Sequence, residues 1–322
     1  MKSNEIMKTM MERTRRDCID CGLCTKNCEF LTKYDMNLKD FCNRENLRYS
    51  CFLCDTCRAV CPKDLSGREI ALEMRRKNTA GTFSTKFMKN NYKLRNNSNK
   101  KSSDLLFLGC NYPGFYPKTC EKLIEICEDY GIDWSVDCCK KPVYELGDKP
   151  ALDNLSDLFK EKETKRIITC CPNCFHFLKD KLEVEVIDAY QFLIEKGIGT
   201  IVEEEANIFF PCSDRYNHEI FKSINKFIPN YKDSYKSVNC CGLGGGAKKH
   251  EPSIIEATKN NLTRLNTKNI YTYCSSCSGI FRTYELKNIK NVLSEVLDVH
   301  EEVSSDYAKN VMRFKFKKRK LE

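Results

Sequence analysis

The chain has 322 residues, a formal net charge of +9 and 22 cysteines against four histidines. No stretch approaches the roughly 18 consecutive apolar residues of a membrane span, and the opening MKSNEIMKTMMERTRRDC carries no apolar export segment. A short disulfide-stapled secreted scaffold is thereby excluded; the expectation is a cytoplasmic protein whose reduced, clustered thiols bind metal.

The charge is uneven. Residues 1–101 carry 22 Lys+Arg against 12 Asp+Glu, residues 102–310 carry 26 against 32, and residues 311–322 carry 6 against 1. Basic excess can face nucleic acid or another anionic partner. It can equally offset thiolates inside the protein, because each four-thiolate iron–sulfur cluster adds about −2, and this internal account is preferred for the N-terminal third. The tail RFKFKKRK reads as a solvated charged end.

Taken in chain order, CIDCGLCTKNC supplies Cys18, Cys21, Cys24 and Cys28, and CFLCDTCRAVCP supplies Cys51, Cys54, Cys57 and Cys61. Both are C-x2-C-x2-C-x3-C, the ligand run of two-cluster bacterial ferredoxins, in which the fourth cysteine serves the other cluster. The crossing rule assigns Cys18, Cys21, Cys24 and Cys61 to one [4Fe–4S] cubane, and Cys51, Cys54, Cys57 and Cys28 to the other. Glu29 stands where a proline often follows such a run. Zinc would prefer two spaced pairs with histidine allowed, a poorer match. Cys42, between the runs, fits no spacing and reads as buried and apolar. Ser66 with Glu69 three positions on is the capping-box signature of a helix carrying Ile70, Leu72 and Met74. The polar, basic stretch 90–103 reads as a linker.

Beyond it the pattern turns to α/β. Short apolar strands end in cysteine at DLLFLGC (Cys110), DWSVDCC (Cys138, Cys139) and RIITCC (Cys170, Cys171), with an amphipathic helix over CEKLIEICEDYG. The pattern then recurs: ANIFFPC ends at Cys212, HEIFKSINKFI is helical, YKSVNCC ends at Cys241 and NIYTYC at Cys274. Cys110, Cys138 and Cys139 precede Cys212, Cys240 and Cys241 by 102 positions, and Cys171 and Cys174 precede Cys274 and Cys277 by 103. SVDCC matches SVNCC, and Phe107 matches Phe209, at the same offset. Five cysteines keeping register across helices and loops mark tandem copies of one unit, with thiols at the carboxyl ends of its strands.

Adjacent cysteines on a regular strand face opposite ways, so both reach one metal centre only if the chain turns sharply. In NCCGLGGG, Gly242 can take positive φ, and Gly244, Gly245 and Gly246 let the backbone approach a large anionic cluster. Five thiolates exceed the four of a cubane, which suggests an unusual cluster. Gly242, Gly244 and Ala247 also satisfy the outline of a dinucleotide fingerprint, but Lys248 to Pro252 delay the helix that fingerprint needs.

NCCGLGGG, with an upstream cysteine and a downstream C-x2-C, resembles the cysteine-rich CCG domain of heterodisulfide reductase. A two-cluster ferredoxin module followed by two such domains is similar to the iron–sulfur subunit of that family in which the same modules are fused. It is also similar to the iron–sulfur subunits of anaerobic glycerol-3-phosphate, glycolate and lactate dehydrogenases. The resemblance implies a noncubane [4Fe–4S] cluster on five cysteines per CCG domain, hence one or two in all. The two sets are Cys110, Cys138, Cys139, Cys171, Cys174 and Cys212, Cys240, Cys241, Cys274, Cys277. The first copy departs with Lys140 where the family has glycine; Lys140 and Lys141 either neutralise thiolate charge or are solvated.

Of the cysteines outside these sets, Cys120 and Cys127 lie on one helix as a core stripe, and Cys170 adjoins Cys171 as a possible substitute, against which the matching Tyr273 argues. His176 and His250 lie near the cluster motifs, where packing is the simpler role.

The expected fold is α+β: an N-terminal helical two-cluster ferredoxin-like module over 1–89, a linker over 90–103, tandem α/β CCG units over 104–205 and 206–300, and a basic tail over 301–322. The expected function is an anaerobic iron–sulfur electron-transfer subunit, an oxidoreductase component. It would take electrons from a flavoprotein or ferredoxin partner through two cubanes to the CCG clusters of Cys138, Cys139, Cys240 and Cys241, where a thiol disulfide is the candidate substrate. The alternatives are a relay subunit of a flavin-dependent glycerol-3-phosphate or 2-hydroxyacid dehydrogenase and, less favoured, a nucleic-acid-binding protein with structural metals. The expectation is no nucleic-acid partner, because the basic residues follow no reader motif.

Overall fold

The computed structural model describes residues 9–79 and 88–320. The start of the sequence, the segment 80–87 near the end of the expected first module and the last two tail residues lie outside the described residues. The chain divides into two compact units, one of Met1–Lys86, Pro142–Lys149 and Gly242–Lys259, the other of Phe87–Lys141, Pro150–Cys241 and Asn260–Glu322. The division thus differs from the sequence boundaries: the stretches after each vicinal cysteine pair go with the N-terminal segment.

The first unit is built from short helices, because its cysteine runs demand frequent turns. Met10–Asp17 is opened by a reciprocal box between Thr9 and Glu12, and Leu38–Phe41 by one between Asn37 and Asp40. Ser66 caps Gly67–Lys77 by accepting the Glu69 N–H at 3.1 Å. Gly22 and Asp55, both left-handed, precede Leu23–Lys26 and Thr56–Ala59 and aim those helices. Phe30, Leu31, Leu38, Phe41, Ile70 and Leu72 form the core. The stretch after Gly242 is held by Glu251, a buried carboxylate that receives Lys33 Nζ at 2.7 Å and Tyr34 OH at 2.9 Å.

The second unit contains parallel sheets. Strands β1 (Asp104–Phe107), β2 (Asp133–Ser135), β3 (Arg166–Thr169) and β4 (Glu185–Asp188) form one sheet in the order β2-β1-β3-β4. Strands β5 (Ala206–Asn207) and β6 (Tyr231–Lys232) pair with each other, as do β7 (Ile270–Thr272) and β8 (Ile289–Asn291), and a parallel bridge joins Ile208 to Tyr271. The second copy therefore repeats the order of the first, as β6-β5-β7-β8, in shorter strands. Leu105, Leu106, Phe107, Ile167 and Ile168 are fully buried, as strands covered on both faces require. The α+β class and the tandem pattern agree with the sequence reading.

Several local expectations change. YKSVNCC forms turns rather than a strand, with Tyr235 and Val238 buried as anchors. Of HEIFKSINKFI only Phe221–Ile224 is regular helix; the Asp214 carboxylate captures the N–H groups of Ile220 and Phe221, both at 3.1 Å, and holds the preceding residues as a cap. Residues 90–103 are tethered rather than loose: Asn96 bridges Val136, its amide donates to the carbonyls of Phe314 and Lys317, and Ser98 donates to Asp133. The basic tail is not a solvated end. Tyr307–Lys315 is a helix burying Val311 and Phe314, and Arg319 lies 4.1 Å over the Trp134 ring with Nε 2.9 Å from Asp133. Asp133 also binds Lys162 Nζ at 2.6 Å. Burial would raise this carboxyl, but Lys162, Ser98, the Trp134 N–H and Arg319 together hold it below its ordinary range.

Candidate metal centres

In the first unit, Cys18, Cys21, Cys24 and Cys61 line one cavity with about 340 Å³ of empty space, open solvent included. Leu38, Pro62 and Leu65 supply its apolar wall. Cys21 is exposed, and Ile19 and Leu23 beside it are exposed apolar residues. Cys28 is not part of that cavity lining. Its thiol is raised by burial and then by the proximity of Cys54 and Cys51, while Cys57 is raised by burial and by Cys51, Cys28 and Cys54. The eight thiols thus fall into two groups, Cys18, Cys21, Cys24 and Cys61 around one cavity and Cys28 near Cys51, Cys54 and Cys57.

Backbone donors converge on the Cys51 side. Leu53 N–H points at Cys51 Sγ at 3.4 Å and Gly67 N–H at Cys57 Sγ at 3.2 Å. A Cβ on Gly67 would stand 2.9 Å from that sulfur, so glycine is needed there. Burial raises the Cys51 thiol to about 12, opposed first by Arg75.

In the second unit Cys110, Cys138 and Cys139 follow strands, Cys171 and Cys274 cap helices that carry Cys174 and Cys277 in their first turn, and Cys240 and Cys241 follow turns. Their thiols contact in series: Cys110 with Cys138, Cys138 with Cys139, Cys139 with Cys174, Cys174 with Cys171, Cys171 with Cys274, Cys274 with Cys277 and Cys277 with Cys241. Cys212 contacts Cys240. Cys171 and Cys274 are the N-caps of Pro172–Leu178 and Ser275–Thr283. Hydrogen bonds from Cys138 and Cys174 hold the Cys139 thiol below its ordinary range despite burial. Cys274 is held low by Cys171, Cys277 and the helix N–H groups.

The turn after each vicinal pair is made as the chemistry requires. Gly242 has φ 90°, Gly245 62° and Gly246 70°, and Lys140 has φ 65° in the first copy. Lysine therefore takes the left-handed conformation left to glycine in the second copy. Its side chain is buried, with Nζ 3.1 Å from Asp137, and its N–H lies 3.4 Å from Cys138 Sγ. Lys140 is not solvated. Its charge faces a buried carboxylate beside the thiols.

Among the described residues no three His, Cys, Asp or Glu side chains close on one point as a single ion needs. The donor set is all thiol, and one part of it lines a cavity, which fits an iron–sulfur core.

Two stretches of the chain, residues 105–179 and 206–282, each match the family described as CCG: Cysteine-rich domain. The chain carries two CCG domains. An uncharacterized iron–sulfur protein of Methanocaldococcus jannaschii is 25% identical over 90% of this chain, which spans 72% of that relative. A second, from Methanococcus maripaludis, is 22% identical over 85% of this chain and is spanned to 69%. One subunit of the fumarate reductase (CoM/CoB) of Methanothermobacter marburgensis is 24% identical over 81% of this chain and is spanned to 66%. Among solved structures, Picrophilus torridus aspartate racemase aligns with 66% of this chain and 99% of its own at 11% identity and a TM-score of 0.29, too slight a likeness to inform fold or function.

The remaining sequence candidates fall into structural roles. Cys42, Cys120, Cys127 and Cys170 are buried, and Cys42 is raised to about 11 by that burial. His176 Nε2 lies 2.8 Å from Asp214, which also accepts from Tyr273; His250 stacks on Tyr49. Around the first CCG domain, sequence reasoning missed Lys89, whose Nζ lies 3.7 Å from Cys110 Sγ, and Tyr92, whose hydroxyl is buried without a hydrogen-bond partner among the described residues. Both sit in stretches too polar to advertise a core. It also missed Gly109, φ 72°, where a Cβ would meet Cys174 Sγ at 3.2 Å.

Proposed function

We propose that this chain is an iron–sulfur electron-transfer subunit of a heterodisulfide-reductase-like oxidoreductase. In this reading Cys18, Cys21, Cys24 and Cys61 hold one [4Fe–4S] cubane and Cys28, Cys51, Cys54 and Cys57 the other. The five-cysteine sets of Cys110 and Cys212 hold one or two further, noncubane clusters. The observation that carries the reading is the exchange of fourth thiols: Cys61 lines the cavity of the first run, and Cys28 stands among the thiols of the second. The relatives named iron–sulfur proteins, and the one named as a reductase subunit, support it.

Clusters bound at these thiols would supply one-electron transfer. The chain's own residues set the conditions. Burial of Cys57, Cys138, Cys174 and Cys277 excludes water, and backbone N–H groups of Leu53, Gly67 and Lys140 stabilise sulfur charge. Gly242, Gly244 and Gly245 keep the turn after Cys241 bare. The exposed Cys21, flanked by Ile19 and Leu23, leaves one centre accessible to a flavoprotein or ferredoxin partner. Among the described residues no helix is long and apolar enough to cross a membrane, compatible with a cytoplasmic site of action.

A disulfide is cleaved with two electrons and two protons, and two adjoining CCG sites match that stoichiometry. The test is to reduce the anaerobically purified protein with a viologen dye and add a small thiol disulfide. Dye oxidation with matching thiol release is expected. Intact disulfide beside a fully iron-loaded, reduced protein would overturn the reductase role and leave the relay role for a separate dehydrogenase.

A further inference from the structure

Charges of both signs lie near each ferredoxin-type site, Asp55 by Cys51 and Cys57 and Lys63 in the lining of the Cys18 cavity, but the charged groups that bear most on Cys51 and on Cys18 are of opposite sign. Arg75, which no sequence motif marked, is 0% exposed. Its guanidinium donates from Nε to the Arg48 carbonyl at 2.8 Å, from Nη1 to the Glu145 carbonyl at 2.6 Å and from Nη2 to the Cys51 carbonyl at 3.0 Å. The Tyr49 ring lies 4.8 Å from it. These partners are neutral, so a full positive charge is buried against them, one residue's backbone away from the Cys51 sulfur. The packing fixes it in place: a Cβ on Gly245 would meet the Cys51 carbonyl oxygen at 2.7 Å and Arg75 Nη1 at 3.3 Å.

At the other site the neighbour is negative. Asp20 Oδ1 lies 3.7 Å from Cys18 Sγ. Asp20 is held by Asn37 at 3.0 Å and by Lys39 at 3.3 Å, and is about half exposed, so solvent and Lys39 weaken its field without reversing its sign.

Reducing a metal centre adds one negative charge. A buried cation beside it favours the reduced state and a nearby carboxylate disfavours it, most strongly where water is excluded. On the iron–sulfur reading above, we infer that Arg75 makes the Cys51-side centre the easier of the two to reduce and Asp20 makes the Cys18-side centre the harder. Electrons accepted at the Cys18 side, whose Cys21 is exposed, then collect on the Cys51 side.

The experiment is an anaerobic redox titration of the iron-loaded full chain, followed by EPR, with iron and sulfide measured on each sample. Arg75→Met is expected to lower the reduction equilibrium constant of one cubane signal at least tenfold, about 59 mV for a one-electron couple, leaving the other in place. Arg75→Lys, which keeps the charge but cannot serve all three carbonyls, is expected to stay near wild type. Asp20→Asn is expected to raise the other signal about threefold, smaller because the group is exposed. The inference is overturned if Arg75→Met shifts neither signal or both equally, or if Lys and Met behave alike. Should Arg75→Met fail to fold, an unshifted Asp20→Asn midpoint overturns it. A wild-type chain without iron overturns the proposed function and this inference together; a loaded chain with unmoved midpoints overturns this inference alone.

Discussion

Cys171 and Cys274, 103 positions apart, cap the N-termini of equivalent helices in the two CCG domains, and their thiols hydrogen-bond to each other. The tandem copies therefore meet at the same residue of each, and the two five-thiol sets adjoin, with all but Cys110, Cys212 and Cys240 buried. Replacing Cys171 by Ala is expected to remove about four iron per chain, while Cys170→Ala, one residue away but facing Cys127 and Cys120, is expected to retain all of it. Iron analysis of the two purified variants decides; equal loss in both would remove the distinction between ligand and core cysteine.

Lys140 occupies a left-handed position at a strain of about 1 kcal/mol and pairs with buried Asp137. Glycine would relieve the strain but leave the carboxylate unpaired, a loss of about 3–5 kcal/mol. Lys140→Gly is thus expected to destabilise the protein by about 2–4 kcal/mol in denaturant unfolding. A variant as stable as wild type would show that Lys140 serves only as a turn residue.

Arg319→Ala removes a guanidinium stacked on Trp134 and bonded to Asp133. A stability loss of about 2 kcal/mol is expected. Because Trp134 is the single tryptophan, a change in its emission should accompany the loss. Unchanged emission and midpoint would return the tail to the role of a solvated end.

What the sequence disclosed follows from where the chemistry is written. Cysteine spacing marks which thiols come together, so the grouping of the eight N-terminal thiols and of the ten repeated ones was legible, as were β1, β3 and β7 from their apolar runs. The tail was misread because Arg319 and the lysines around it look solvated until the buried Asp133 and the Trp134 face are known. Lys140 was ambiguous because a left-handed φ leaves no mark in a side chain other than glycine. Arg75 sits on a helix whose charged face reads as exposed, and only the carbonyls of Arg48, Cys51 and Glu145 reveal that it is buried. The shortening of β5 in the second copy could not be told from the sequence, since ANIFFPC is as apolar as DLLFLGC.

Asp188 caps Ala189–Lys196 through the Gln191 N–H and receives Ser223. Burial raises its carboxyl to about 6, against the opposing hydrogen bonds and with a smaller push from Asp214. The folded state therefore holds this proton more tightly than the unfolded state, whose value is about 3.9. Its contribution to stability is full below about pH 4 and is lost as pH rises through 6, a cost of about 2–3 kcal/mol at neutrality. Asp188→Asn keeps the cap, and is expected to flatten the slope of stability between pH 4 and 6 and to raise stability at pH 7 by about 1–2 kcal/mol. Unfolding curves across that range check it, and an unchanged slope would contradict it.

The most direct measurement of the central claim is the metal content of protein purified without oxygen, with iron, acid-labile sulfide and zinc determined on one sample. About 16 iron and matching sulfide per chain are expected if both ferredoxin-type sites and both CCG sites are filled. A colourless protein carrying zinc in place of iron would contradict the account.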